Sequence, residues 1–307
     1  MLASLDNEVI FKKAFTNIFV FTHFVKDILG IDVVVDKIET EKRFDEKVGK
    51  IDFRLDIFAE TVDKRIIIEI QRIEYDHNFN RFLHYFLATI LGQQKSSKDY
   101  SIAQTVYLIV VLTEKYTINQ RNGQPLRNEV LLLELNPRTL DDKKLDLYGH
   151  QLRFLNPNHP ELNTPKQVRD WLDLVYQSIH NPEKPIVNLK NKGIEKAVEL
   201  INYDKLSSKE ITAMKDAEMK RQALSKKEDK ARNEGLRKGL KEGLKEGLKK
   251  GKQEGKQEGK QEGKQEAKTA AIIKALNKNL PLDLIAELND VTVKFVAKIQ
   301  NELHKPK

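Results

Sequence analysis

The chain has 307 residues and a formal net charge of +8, which is long enough for one or two domains with a hydrophobic core. It contains no cysteine, which excludes disulfides and thiolate metal sites and leaves oxygen or imidazole ligands. The apolar run from Ile18 to Val25 is too short to span a bilayer, and the N-terminus lacks the pattern of a secretory signal. We therefore expect a cytoplasmic protein without a membrane partner.

Hydrophobic periodicity predicts helices and strands in the order α-β-β-α-β, which favours an α/β fold with a mixed sheet flanked by helices. Gly30 is expected to end the first helix as its C-cap, and Pro165 to begin the last one. The predicted elements are a helix at 7–29, strands at 52–59 and 65–70, a helix at 79–94, strands at 105–112 and 131–135, and a helix at 164–180.

The two strands at 52–59 and 65–70 flank a short polar turn and predict a β-hairpin. Pairing centred on that turn places Asp56 directly opposite Glu69, on a face shared with Gln71. The other face is predicted to be core because all its residues are apolar: Ile51, Phe53, Leu55, Ile57, Ile66, Ile68 and Ile70.

Two carboxylates that face each other across a sheet repel, unless a cation lies between them. Because Mg²⁺ prefers carboxylate, water and phosphate oxygens, the pair Asp56 and Glu69 indicates an oxygen-ligand metal site. The same pattern also fits a solvated polar face on which Arg54 and Arg72 neutralise the acids, and the pairing alone does not separate the two interpretations.

The hairpin segments IDFRLDIFAE and RIIIEIQR resemble the PD-(D/E)XK nuclease superfamily, specifically the Rpn-type recombination-promoting nucleases, or PD-(D/E)XK nuclease family transposases. The segment RLDI resembles the first acidic motif and IEIQ the second, with Gln71 where most of the superfamily has lysine. DNEVIFKKAF and RFLHYF resemble helices of the same group, and the likeness covers about the first 115 residues.

This resemblance implies a restriction-endonuclease-like core and Mg²⁺-dependent hydrolysis of DNA phosphodiester bonds in recombination or transposition. Asp56, Glu69 and Gln71 would be catalytic, and Asp56, Glu69 and the Ile70 carbonyl would hold Mg²⁺, with Mn²⁺ or Ca²⁺ as alternatives. An amide cannot act as a cation or a base, so Gln71 could only orient the water. Lys12, Arg81 and Tyr85 are predicted to contact DNA, although packing alone would also explain Tyr85.

Glycine recurs every four residues from Gly235 to Gly263, in a stretch that carries more lysine and arginine than glutamate. Each glycine costs a helix about 1 kcal/mol relative to alanine, so an isolated helix is expected to be marginal. The repeat is then a frayed spacer, or it associates with a second copy as a homodimer through the leucines Leu236, Leu240, Leu244 and Leu248.

The chain from Ala270 to Leu303 resembles the small helix-turn-helix ending of similar nucleases, in which Lys294 and Lys298 would reach DNA phosphate. The simpler alternative is a helical cap that buries Ile272, Ile285, Leu288, Val296 and Ile299. The sequence thus predicts four parts: a nuclease-like domain at 1–155, a helical extension at 156–230, the glycine repeat at 231–268 and the helical end at 269–307.

The sequence is also compatible with two rival functions. One is a DNA-binding module of the same fold that has lost catalysis, because Gln71 departs from the usual lysine. The other is an assembly protein that acts through its repeat tail. A metal-binding measurement separates the first rival from an active enzyme, and removal of the tail tests the second.

Overall fold

The computed structural model describes residues 1–43, 53–72, 78–94, 100–114, 118–119 and 125–303. The chain divides into two compact units, Met1–Gln222 and Ala223–Lys307, and the four-part division drawn from the sequence stays a prediction. Among the described residues, none of the helices combines the length and the apolar character needed to cross a lipid bilayer.

The elements of the described residues alternate between helices and strands in the first unit and are helical toward the C-terminus. In chain order they are α1 (Glu8–Phe15), α2 (Ile18–Leu29), β1 (Ile38–Lys42), β2 (Leu55–Glu60), β3 (Lys64–Gln71), α3 (Asn78–Leu91), β4 (Thr105–Leu112), β5 (Ile118–Asn119), β6 (Pro125–Leu126), β7 (Val130–Glu134), β8 (Gln151–Leu155), α4 (Lys166–His180), α5 (Lys192–Ile201), a 3-10 turn (Tyr203–Lys205), α6 (Ser208–Leu276), α7 (Leu282–Asn289) and α8 (Val293–Leu303).

Within the described ranges, six strands form one mixed sheet in the order β1-β2-β3-β4-β8-β7. The central pairs β3–β4 and β4–β8 are parallel, while β1–β2, β2–β3 and β7–β8 are antiparallel. The predicted α/β class with a mixed sheet and flanking helices is therefore confirmed. Strand β3, which carries Glu69, lies in the interior of the sheet between β2 and β4.

Helices cover both faces of this sheet, which explains why β4 is apolar at nearly every position. On one face α1, α2, α4 and α5 pack around the buried Trp171 and against Ile57 and Ile68 of the hairpin. On the other face α3 packs Phe82 and Phe86 in a cluster with alternate residues of β4 and with Ile67 of β3. The hairpin strands are consequently fixed from both sides.

The single helix predicted from Asn7 to Leu29 is wrong in one respect, since the structure has two helices there. Asn7 caps α1 by accepting a hydrogen bond from the Val9 amide, and Asn17 caps α2 by accepting one from the Val20 amide. The apolar period continues across the break, so periodicity alone does not locate it. Gly30 ends α2 with a φ of 74°, as predicted.

Several strands were missed because their sequences give little signal. Strand β1 is polar and lies at the edge of the sheet, while β5, β6 and β8 are short. Helix α5 lies within the helical extension predicted at 156–230, but its bounds were not predicted. The predicted strand at 105–112 coincides with β4, and the predicted hairpin strands overlap β2 and β3. Residues 51 and 52 of the predicted hairpin lie outside the described residues.

The glycine repeat lies within the helix α6. Between Ala213 and Lys268 the sequence has neither proline nor a β-branched residue, so good helix formers surround each glycine. The four leucines of the predicted seam are 67–75% exposed. Self-association through them as a homodimer stays a prediction.

In the second unit α7 and α8 pack with the end of α6 around Ile272, Ile285, Val296 and Ile299, as the cap interpretation predicts. Leu288 was assigned to this core and is instead 68% exposed, because the buried positions of α7 are Ile285 and Ala286.

Gly193 permits the close approach of α5 to α2 and α4, because a Cβ there would collide with His23 and lie 3.0 Å from Trp171 Cζ2. Gly193→Ala is expected to lower the free energy of unfolding by about 1–2 kcal/mol, since overpacking outweighs the gain in helix propensity. Thermal unfolding followed by circular dichroism measures the change. Gly243→Ala is the control, because a Cβ at Gly243 meets nothing within 4 Å; stabilisation by both variants would contradict the packing argument.

Candidate functional site

The register of the hairpin brings the two predicted acids together. Ile57 pairs with Ile68 and Phe58 with Ile67, as the predicted pairing requires, and the ladder of paired residues begins there. One step further along both strands lie Asp56 and Glu69. The site is therefore at the end of the regular β2–β3 pairing.

At this point the carboxylates replace the ladder of backbone hydrogen bonds. The Asp56 amide donates to Glu69 Oε1 at 2.8 Å, and the Ile70 amide donates to Asp56 Oδ2 at 3.1 Å. Each acid thus accepts a hydrogen bond from the backbone of the opposite strand. The exchange orients both carboxylates between the strands.

The irregular pairing also corrects the predicted apolar face of the hairpin. Leu55 and Phe53 were assigned to the same face as Ile57, but they pack in the opposite cluster, with Phe58 and Ile67. The alternation of side chains therefore breaks next to Asp56. Strict period-two counting could not show this break, because it assumes an unbroken ladder.

Both acids are largely shielded from water, Glu69 more so than Asp56. Glu69 is fully buried, and its Oε2 has no hydrogen-bond partner within the part of the chain that the structure describes. Burial, followed by the charge of Asp56, raises the pKa of Glu69 well above its ordinary value. Burial raises the pKa of Asp56 to about 6, although the Ile70 amide and Lys12 act in the opposite direction. Two such groups are ionised together only at a high cost, unless a cation binds them.

The side chain of Lys12, on α1, also reaches this site. Its ammonium forms ion pairs with Glu8 and Glu41, and its Nζ is 4.0 Å from Asp56 Oδ1. Burial opposes the charge, but hydrogen bonds to Glu41 and Glu8 outweigh it, so the pKa of Lys12 lies above its ordinary value. One oxygen from each of Glu8, Glu41 and Asp56 lies within 4.8 Å of the others.

Sequence reasoning missed Glu8 and Glu41. Glu8 had a usable signal, because it precedes Lys12 by one helical turn and the two residues share a face of α1. Glu41 had none, since it lies on the unpredicted strand β1 with a φ of 55°, which no sequence pattern announces for glutamate.

Gln71, Arg81 and Tyr85 form one hydrogen-bonded group next to the acids. Arg81 Nη1 donates to Gln71 Oε1 at 3.0 Å, and Arg81 Nε donates to the Tyr85 hydroxyl oxygen at 2.6 Å. The guanidinium also lies over the Tyr85 ring, and that ring stacks on Phe53. Arg81 is exposed while Tyr85 is buried, and burial raises the pKa of Tyr85. The predicted i, i+4 pair is therefore in contact.

A cleft of about 270 Å³ opens beside Asp56 and is lined by Ile70, Gln71 and Arg81. Arg72 borders the cleft, but its ion pairs are with Asp6 at 3.2 Å and Glu218 at 3.4 Å and not with Asp56 or Glu69, as the solvated-face interpretation required. The cleft thus combines Asp56 with side chains that donate hydrogen bonds, and it is large enough for a phosphodiester group.

Lys294 and Lys298, the remaining predicted DNA contacts, are exposed on α8 in the second unit, where Lys298 Nζ lies 3.9 Å from Glu302 Oε1. The first unit brings together Lys12, Asp56, Glu69, Ile70, Gln71, Arg81 and Tyr85. Their roles as metal ligands, catalytic groups and DNA contacts stay predictions.

Comparison with models of known protein families identifies the family of this chain. Residues 7–230 match the sequence model of the PD-(D/E)XK nuclease family transposases, which confirms the resemblance found in the hairpin motifs. The match extends from α1 into α6 and is longer than the motifs alone indicated. No curated protein and no solved structure matches the chain.

Proposed function

The chain belongs to the PD-(D/E)XK nuclease family transposases, and on this premise we propose that it is a divalent-metal-dependent DNA endonuclease linked to recombination or transposition. The observation that carries the proposal is the fully buried carboxylate of Glu69, which lies beside Asp56. The Oε2 atom of Glu69 has no hydrogen-bond partner among the described residues. A buried oxygen of this kind is costly unless a ligand satisfies it.

The groups at the site fit a hard divalent cation such as Mg²⁺. Asp56 and Glu69 offer carboxylate oxygens, and the chain has no thiolate that would favour a softer metal. The Ile70 amide faces Asp56, and a paired strand residue directs its amide and its carbonyl to the same neighbour. The Ile70 carbonyl is therefore the third proposed ligand.

When bound, the ion lowers the pKa of the attacking water and stabilises charge on the scissile phosphate. The protein holds the two carboxylates in place through the Asp56 and Ile70 amides, so their geometry needs no rearrangement. Arg81 fixes the orientation of Gln71, whose amide also donates to the Arg72 carbonyl at 2.7 Å. Gln71 can therefore present a fixed dipole to the water, but it cannot take its proton.

Arg81 is the proposed contact to the DNA backbone. Its guanidinium borders the cleft, and the hydrogen bond to Tyr85 restricts its side chain. Arginine forms bidentate hydrogen bonds with phosphate oxygens, so a held guanidinium next to the acids can position the scissile group. The positive net charge of the chain favours a polyanionic substrate in the same way.

The test is cleavage of supercoiled plasmid by the purified full-length chain with Mg²⁺, Mn²⁺, Ca²⁺ or EDTA. We expect nicked or linear DNA with Mg²⁺ or Mn²⁺ and no product with EDTA. A single-stranded RNA offered in place of the plasmid tests whether the chain cleaves RNA as well as DNA. If the chain binds DNA but cleaves neither substrate with any metal, the site is a catalytically degenerate DNA-binding module, with Gln71 as the first residue to examine.

A further inference from the structure

The acids at the site fall into two groups that share Asp56. Glu69 and the Ile70 backbone lie on one side of Asp56, and Glu8 and Glu41 lie on the other. The second group is more exposed than Glu69, yet its three carboxylate oxygens lie within 4.8 Å of one another. Three like charges at this distance need a cation among them.

Lys12 already supplies a cation to the second group. Its ammonium is paired with Glu8 and Glu41 and lies 4.0 Å from Asp56 Oδ1, and its side chain is only 16% exposed. The position is set by α1, whose Asn7 cap and buried Phe11 fix the rotation of the helix. A carboxylate triad around one cation is also the arrangement that would hold a second divalent ion.

This geometry argues against the role first predicted for Lys12, a contact to DNA phosphate. A phosphate would have to compete with three carboxylates for an ammonium that is mostly buried among them. Exposed Arg81 has no carboxylate partner among the described residues and is better placed for that contact. Lys12 therefore acts on the acids themselves.

We propose that the Lys12 ammonium takes the place of a second metal ion, so that the site holds one divalent ion, at Asp56 and Glu69. This inference rests on the proposed function, because it assigns a metal to that pair. It also accounts for Gln71, since Lys12 provides from α1 a positive charge that the amide cannot provide from β3. Lys12 is thus a positioning residue that holds Asp56 and offsets part of its charge.

The experiment counts ions per chain in the full-length protein, with Mn²⁺ as the probe in a titration followed by electron paramagnetic resonance. We expect one Mn²⁺ in the wild type and two in Lys12→Ala, because the vacated triad can then bind an ion. Lys12→Arg keeps the cation and is expected to bind one. Lys13→Ala is the matched control, since Lys13 is the next residue of α1 but pairs with Glu210 at 2.8 Å.

Cleavage gives a second readout that a purely structural role would not change. The Mg²⁺ dependence should be hyperbolic for the wild type and sigmoidal for Lys12→Ala, with a Hill coefficient approaching about 2 because two ions are then required. If Lys12→Ala does not fold, the double variant Lys12→Ala/Glu41→Gln removes one of the repelling charges and is still expected to bind a second ion between Glu8 and Asp56.

The outcomes separate this inference from the proposed function. Two ions in the wild type, with loss of metal binding in Asp56→Asn, would support the metal site and overturn the role of Lys12. One ion in both the wild type and a folded Lys12→Ala would overturn it as well. No metal binding by the wild type would overturn both the inference and the metal-dependent function.

Discussion

Asp56→Asn is expected to reduce metal-dependent DNA cleavage by a factor of about 10³ or more. Asparagine keeps the size of the side chain and can still accept the hydrogen bond from the Ile70 amide, so the fold of the hairpin is preserved. It removes a negative oxygen that the proposed ion requires, and the loss of one preorganised electrostatic group at a reacting centre costs about 10²–10³ in rate. Loss of the ion itself adds to that cost. Single-turnover plasmid cleavage at saturating Mg²⁺ measures the effect.

The matched control is Glu60→Gln, which removes an acid at the other end of β2. Glu60 is exposed and pairs with Arg65 at 3.0 Å, and it has no contact with the site. Its activity should remain within about twofold of the wild type, because an exposed ion pair contributes little. Equal losses in both variants would mean that the hairpin tolerates no change in charge. Full activity in Asp56→Asn would place the active site elsewhere.

The hairpin could be predicted because its information is local. A polar turn between two apolar strands fixes the register, and that register is enough to bring Asp56 next to Glu69. The strand β4 was equally clear, since eight consecutive apolar or β-branched residues indicate burial on both faces. The helix pair at the N-terminus was less clear, because the break at Asn17 depends on a cap and leaves the apolar period unchanged.

The rest of the site depends on contacts between residues far apart in the chain. Glu41 approaches Lys12 only because β1 joins the edge of the sheet next to β2, and the polar sequence of β1 gives no signal for a strand. Likewise, the contact between Arg81 and Gln71 depends on how α3 packs on the sheet. The sequence predicted which residue types matter, but not which carboxylates surround Lys12.

The metal-free wild type is expected to lose stability relative to Asp56→Asn as the pH rises. The pKa of Asp56 in the folded state is about 6, against an ordinary value of 3.8. Because the folded state keeps its proton to a higher pH than the unfolded state, unfolding releases a proton between these two values, and stability falls as the pH increases through that window. Burial raises the pKa of Glu69 in the same direction. The neutral amide in the Asp56→Asn variant does not titrate. The loss of stability that Asp56 causes should therefore appear only in the wild type.

The rise of the Asp56 pKa from 3.8 to about 6 corresponds to a loss of at most about 3 kcal/mol of stability at pH values above both. Because the Asp56 side chain is 20% exposed, a stability difference of about 1–3 kcal/mol is expected. Urea unfolding of both proteins in EDTA at pH 4, 5, 6 and 7.5 measures the difference between their free energies of unfolding. The two proteins should be about equally stable at pH 4, and Asp56→Asn should be the more stable at pH 7.5. A wild type that is the more stable at pH 7.5 would show that Lys12 and the backbone amides already balance the charge.

Added Mg²⁺ should reverse this order, and the reversal connects stability to function. An ion that binds only the folded protein stabilises it by about 2.7 kcal/mol at a hundred times its Kd. That gain is available to the wild type and is absent in Asp56→Asn, so the two stability curves at pH 7.5 should cross as Mg²⁺ is titrated. Burial of the Asp56 and Glu69 carboxylates destabilises the metal-free protein, and the same pair would bind the ion that cleavage requires.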